Sequence, residues 1–144
     1  MSTEENKARV RHVFEEMNKQ NYPALLEEFC ARDYVWHGAP PGISPDLAGT
    51  KQLHTPLFTA FPDLHWVVDD LIAEGDKVVA RLTVRGTHQG EFMGIPPSGK
   101  VVTYTGIAIC RFAGSKAVEY WSSVDLLGLM QQLGVIPQMA QAGA

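Results

Sequence analysis

At Leu64 the spacing of the apolar residues changes from helical to alternating, and this change constrains the fold more than any single motif. Before it, Val10, Phe14 and Met17, with Val13 beside them, form a stripe at the period of a helix. After it, Val78, Ala80, Leu82 and Val84 face one way while Arg81, Thr83 and Arg85 face the other, which is the period of a strand. Helices first and strands after is an α+β order.

The first helix opens at Ser2, with Glu5 three residues on as a capping box. "NYPALLEEFC" restarts the helix with Pro23 in its first turn. "DYVWHG" reads as a short strand, with Val35 and His37 on one face and Tyr34 and Trp36 on the other. "GAPPGISPDLAG" reads as a loop. In "TKQLHTPLFTAFPD" Leu53, Leu57, Ala60 and Phe61 share a helical side, and Pro56 either kinks that helix or marks its start after Thr55 as cap. Two hairpins follow, turning at "GDK" and "AGSK" and separated by the long connection "QGEFMGIPPSGK". The strand from Val101 to Phe112 is apolar on both faces, so a second cover is expected, and another subunit is the simplest one. A closing helix runs from Leu126 to Leu133, and residues 136–144 read as a loose tail.

A chain of 144 residues suits one domain with a real core, and 45% hydrophobic against 19% charged residues is globular composition. The formal charge of −4 and the lack of a basic run argue against a nucleic-acid partner. Cys30 and Cys110 have no ligand or disulfide-framework spacing, which fits a reducing compartment. The polar N-terminus has no signal-peptide core, and no apolar run approaches the ~18 residues of a membrane span. A cytoplasmic protein without membrane contact is expected.

The candidates for chemistry are few. Asp125 stands between a strand and the apolar Leu126, where local sequence favours a helix cap. By strand alternation it also shares a face with Trp121 and Ser123, and apolar neighbours would fit its carboxylate for acid/base work near neutral pH. One residue can do both. His37 is either a structural histidine or a donor to a carbonyl or enolate oxygen. His88 either faces a pocket or completes the core face of its strand. Arg111, at the parity of Ile107 and Ile109, either reaches to solvent or contacts an anion or carbonyl. Met93 is either a flexible pocket lid or gap filling. His12, His54 and His65 read as surface or helix residues, and no His-x-His or His-x-x-x-His pair supports a metal. Ser122 and Ser123 lack a nucleophile elbow, and no glycine-rich phosphate loop argues for a nucleotide.

"FPD" (Phe61 to Asp63), "GTHQGEFMGIPPSGK" (Gly86 to Lys100) and "DLLGLMQQLG" (Asp125 to Gly134) resemble the SnoaL-like polyketide cyclases, within the wider group similar to nuclear transport factor 2 and ketosteroid isomerase. The resemblance implies a cone: a curved antiparallel sheet wrapped by N-terminal helices around a deep apolar pocket. It implies ring closure by intramolecular aldol condensation, with one Asp as acid/base and neither metal nor cofactor. Asp125 falls at that place, and His37 at that of a pocket histidine. The pocket would be shaped by Trp121, Ile107, Ile109, Arg111, Met93 and His88. One departure stands out. The family's cyclising members carry polar residues on the strand before last, where this chain has Ile107, Ile109 and Arg111, so a more apolar carbonyl substrate is expected. The alternatives are an epoxide hydrolase or dehydratase on the same fold, of whose Asp–Arg–Asp set only Asp125 and Arg111 could be part, and a small-molecule binder without turnover. A homodimer or homotetramer is expected.

Overall fold

A computed structural model describes residues 2–19 and 22–137. The elements run α1 (Thr3–Met17), α2 (Tyr22–Phe29), β1 (Cys30–His37), α3 (Leu47–Ala60), β2 (His65–Glu74), β3 (Lys77–Thr87), β4 (Val101–Ala113), β5 (Lys116–Val124) and α4 (Leu126–Leu133). The capping box of α1 is present: the Glu5 N–H donates to Ser2 Oγ at 3.1 Å, and Glu5 reaches back to the Ser2 N–H. Pro56 neither starts nor ends α3. The helix begins at Leu47 with Asp46 as its cap, whose carboxylate accepts from the Gly49 N–H at 2.9 Å, and it carries Pro56 inside. A strong local cap fixes the start, and the proline costs one backbone bond within a helix already packed on β1.

The sheet order is β1-β5-β4-β3-β2. β2 to β5 form an antiparallel meander, but β1 lies parallel to β5, so the sheet is mixed and not antiparallel throughout. The reason is the connection. The chain leaves β1 through α3 and the whole meander before β5 returns beside it, which leaves the two strands pointing the same way. Both tight turns place a glycine first, Gly75 and Gly114, each at φ 60, as two-residue hairpins demand.

The helices cover one face of the sheet: α1 packs on β2 and β3, α3 on β1, and α4 on β4. Beneath them Val10, Val13, Phe14, Tyr34, Trp36, Val78, Ala80 and Cys110 form the larger core, while Phe61, Leu64, Val84, Val102, Leu129 and Leu133 form a second. Each large aliphatic or aromatic side chain buried there contributes about 1.5–3 kcal/mol. Burial of β4 alternates, with Val102, Tyr104, Ala108, Cys110 and Phe112 inward and Val101, Ile107, Ile109 and Arg111 outward.

Candidate functional site

Asp125 is the N-cap of α4. Its Oδ1 accepts from the Gly128 N–H at 2.9 Å, and among the described residues no other hydrogen bond reaches the carboxylate. The Asp125 N–H still donates to the Thr105 carbonyl at 2.9 Å, so the residue ends the β4–β5 ladder as it opens the helix. Where β5 stops, Gln132 takes over: its side chain accepts from the Thr103 N–H at 2.9 Å and donates to the Thr103 carbonyl at 2.7 Å. This pins α4 across the end of the sheet. Leu129, Met130 and Leu133 are buried, while Leu126 and Leu127 are 42% and 53% exposed.

Those exposed leucines face a groove of about 510 Å³. Leu126, Leu127 and Met130 form one wall, Val135 and Ile136 fold back against it, and Met93 and Ile95 form the other. The groove residues are all apolar, and Asp125 precedes the first of them. Ile136, read from sequence as part of a loose tail, is instead part of the wall, because Val135 and Ile136 donate to the Met130 carbonyl in the cap of α4. The rest of that tail, residues 138–144, lies outside the described residues.

The Met93 wall is rigidly based. His88 and the Lys100 carbonyl close the loop neck at 2.9 Å, and the N–H groups of Gln89 and Gly90 both donate to the Ala60 carbonyl at the end of α3. Phe92 and Ile95 pair across the tip, and Met93 between them has φ 49, a left-handed conformation uncommon for a side chain of its size. Met93 is 68% exposed and lines the groove with its apolar side chain.

His88 completes the core face of β3 and does not line the groove. It is fully buried against Phe61, with ring centroids 5.5 Å apart. Its Nδ1 accepts from the Ser98 N–H at 3.3 Å and lies 2.9 Å from Ser98 Oγ, which leaves the proton of the neutral ring on Nε2. Among the described residues Nε2 has no hydrogen-bond partner.

His37, Trp121, Ile107, Ile109 and Arg111 were expected around one pocket with Asp125. The structure puts them on the uncovered face of the sheet instead. The parallel register His37↔Trp121 stacks the two rings at 4.8 Å and 16°. His37 Nε2 lies 2.6 Å from Glu119 Oε2, Arg111 Nε donates to the other Glu119 oxygen, and Arg111 Nη1 approaches Asp76 at 3.6 Å. Hydrogen bonds from His37 first and Arg111 second hold the Glu119 carboxyl below the usual range. Asp125 lies four residues past Trp121, about 13 Å along the strand direction, so His37 is not its neighbour. Sequence reasoning passed over Glu119, although it shares the parity of Trp121. It also passed over the groove wall, whose signal was a helix apolar on nearly every side.

The other titratable groups offer little reactivity. Burial pushes the Cys30 and Cys110 thiols up to about 12 and the Tyr104 hydroxyl up to about 12. Among the described residues no cluster of three His, Cys, Asp or Glu side chains could hold a metal ion, and no helix is long and apolar enough to cross a membrane.

Known structures share this arrangement of elements. AclR of Streptomyces galilaeus, described as a candidate hydroxylase, superposes with a TM-score of 0.87 at 31% identity, over 99% of this chain and 88% of its own. TsrD of Streptomyces laurentii gives 0.84 at 28% identity, over 94% and 99%. IdmH of Streptomyces antibioticus, described as a candidate polyketide cyclase, gives 0.78 at 33% identity, over 89% and 97%. No curated protein matches the chain. The sequence matches the SnoaL-like polyketide cyclase profile over residues 8–133, and with a fold that superposes on these relatives the chain belongs to that family.

Proposed function

We propose that the protein is an enzyme that moves a proton on an apolar carbonyl compound, in an intramolecular aldol cyclisation or a closely related step, with Asp125 as its acid/base. The observation that carries this reading is the position of Asp125: a carboxylate with one oxygen bound to the helix and the other unengaged, directly before the first residue of an all-apolar groove. Carbon held between two carbonyls becomes an enolate when it loses a proton, and a placed carboxylate can accept that proton. The groove's contribution is orientation: folding the chain so that the carbanion meets its carbonyl is worth several kcal/mol. The protonated Asp125 then returns the proton to the new alkoxide. IdmH supports the reading by its description, and the apolar groove favours a substrate less polar than an aromatic polyketide ester.

The test is Asp125→Asn. Asn caps a helix about as well as Asp, so the melting temperature should hold, with stability within about 1 kcal/mol of wild type. The amide cannot carry a proton, so turnover should fall ~10²-fold or more. Full turnover in the Asn variant would reduce Asp125 to a cap and leave the groove a binding site.

A further inference from the structure

A second cavity lies at the other end of β5. It measures about 240 Å³ and is built by three elements: Arg9, His12 and Val13 of α1, Leu25, Glu28 and Phe29 of α2, and Ser115 and Lys116 where β4 turns into β5. The nine residues of β5 separate it from Asp125, roughly 30 Å along the strand. It therefore shares nothing with the groove.

Its walls divide by chemistry. Val13 and Leu25 are buried, and Phe29 is held edge-on to Phe112 with ring centroids 5.7 Å apart, so the apolar side is fixed. The polar side is cationic. Lys116 Nζ is held by the Glu27 and Glu28 carbonyls at the end of α2, which satisfies the helix terminus and fixes a positive charge there. Arg9 is less easily explained. Its Nη1 is shut off from solvent and makes no hydrogen bond among the described residues. That nitrogen is closed off from the cavity as well, so a ligand there would meet Arg9 through its other atoms, which line the space. Among the lining side chains the two cations Arg9 and Lys116 outnumber the one carboxylate, the exposed Glu28.

We propose that this cavity binds the carboxylate of a compact apolar acid. The carboxylate would accept from Arg9, with Ser115 and Lys116 beside it, and the apolar body would lie on Val13, Leu25 and Phe29. A planar guanidinium matches a carboxylate in shape as well as charge, and a monoanion cancels the excess charge of the lining. The volume of about 240 Å³ admits an aromatic or short aliphatic acid.

Benzoate and its neutral counterpart benzamide are the probes, titrated into the folded protein and followed by backbone amide NMR. Benzoate should bind saturably, shifting amides at Arg9, Leu25, Phe29 and Ser115, and benzamide should bind at least about tenfold more weakly for want of the charge-assisted bonds. Arg9→Gln should lose about tenfold for benzoate, Arg9→Lys less, and Asp125→Asn should change nothing. That last arm separates this site from the groove. Equal binding of the two probes by wild type, shifts confined to the Met93 and α4 groove, or undiminished binding in a folded Arg9→Gln variant would each overturn the proposal. The comparison of probes on wild type needs no variant to fold.

Discussion

The Asp125 carboxylate is turned back onto the first turn of α4, and Gly128 is what lets it lie there. A Cβ built on Gly128 would meet Asp125 Oδ2 at 2.2 Å. Gly128→Ala should therefore force the carboxylate outward while adding helix propensity. The lost cap and the gained propensity are each about 1 kcal/mol and opposite in sign, so the melting temperature should barely move. Turnover should fall if Asp125 has the proposed role of proton carrier, because the carboxylate has shifted; unchanged turnover would mean that its placement is immaterial. The cap was legible in the sequence because its chemistry spans four residues. The partner of His37 was not, because Glu119 is 82 residues away and only the register of β1 with β5 brings it to 2.6 Å.

At the level of elements, alternation located the faces of β3 and β4 correctly, with Val78 and Val102 fully buried, since parity is a local property. It could not give the direction in which β1 pairs, which depends on the path of everything between, and the residues that the resemblance placed around a pocket, Trp121, Ile107, Ile109 and Arg111, lie on the open face. One side chain pins the packed α4 to the end of the sheet. Gln132 supplies both hydrogen bonds that β5 would have given to Thr103 had it continued. Gln132→Ala leaves those two backbone groups to solvent and should cost about 1–2 kcal/mol. It should also loosen the wall of the groove. Denaturant unfolding gives the first, and faster amide hydrogen exchange at Leu129 and Met130 reports the second; exchange as slow as in wild type would show that packing alone holds the helix.

For the whole molecule, two properties follow. The uncovered sheet face carries Val35, Val67, Ile72 and Ile107, each 38–65% exposed, beside Trp121 and Ile109. A second copy of the chain is the proposed cover, through a self-complementary interface. Sedimentation at micromolar concentration should show a dimer or larger, and a species of 15.8 kDa alone would contradict it. The second property is acid sensitivity. His54 in α3 is half-buried as a residue, but its Nδ1 is shut off from solvent, and burial pulls its pKa down to about 3. The unfolded chain takes up this proton near pH 6.5 and the folded chain does not. Stability is therefore intact above that value and falls as pH drops toward about 3, by roughly 1.4 kcal/mol per pH unit. Chemical unfolding between pH 6.5 and pH 5, above the range of most carboxylates, should show that slope, and His54→Gln should flatten it. An unchanged slope in the variant would assign the effect to other groups.

The most direct test of the central claim needs no knowledge of the natural substrate. In deuterated buffer, an apolar β-keto ester exchanges the proton on the carbon between its carbonyls, and the rate is read by NMR or mass spectrometry. Wild-type protein should accelerate that exchange, and Asp125→Asn, folded and equally stable, should lose the acceleration by ~10²-fold or more. Equal acceleration by the two proteins would contradict the assignment of Asp125 as the proton carrier.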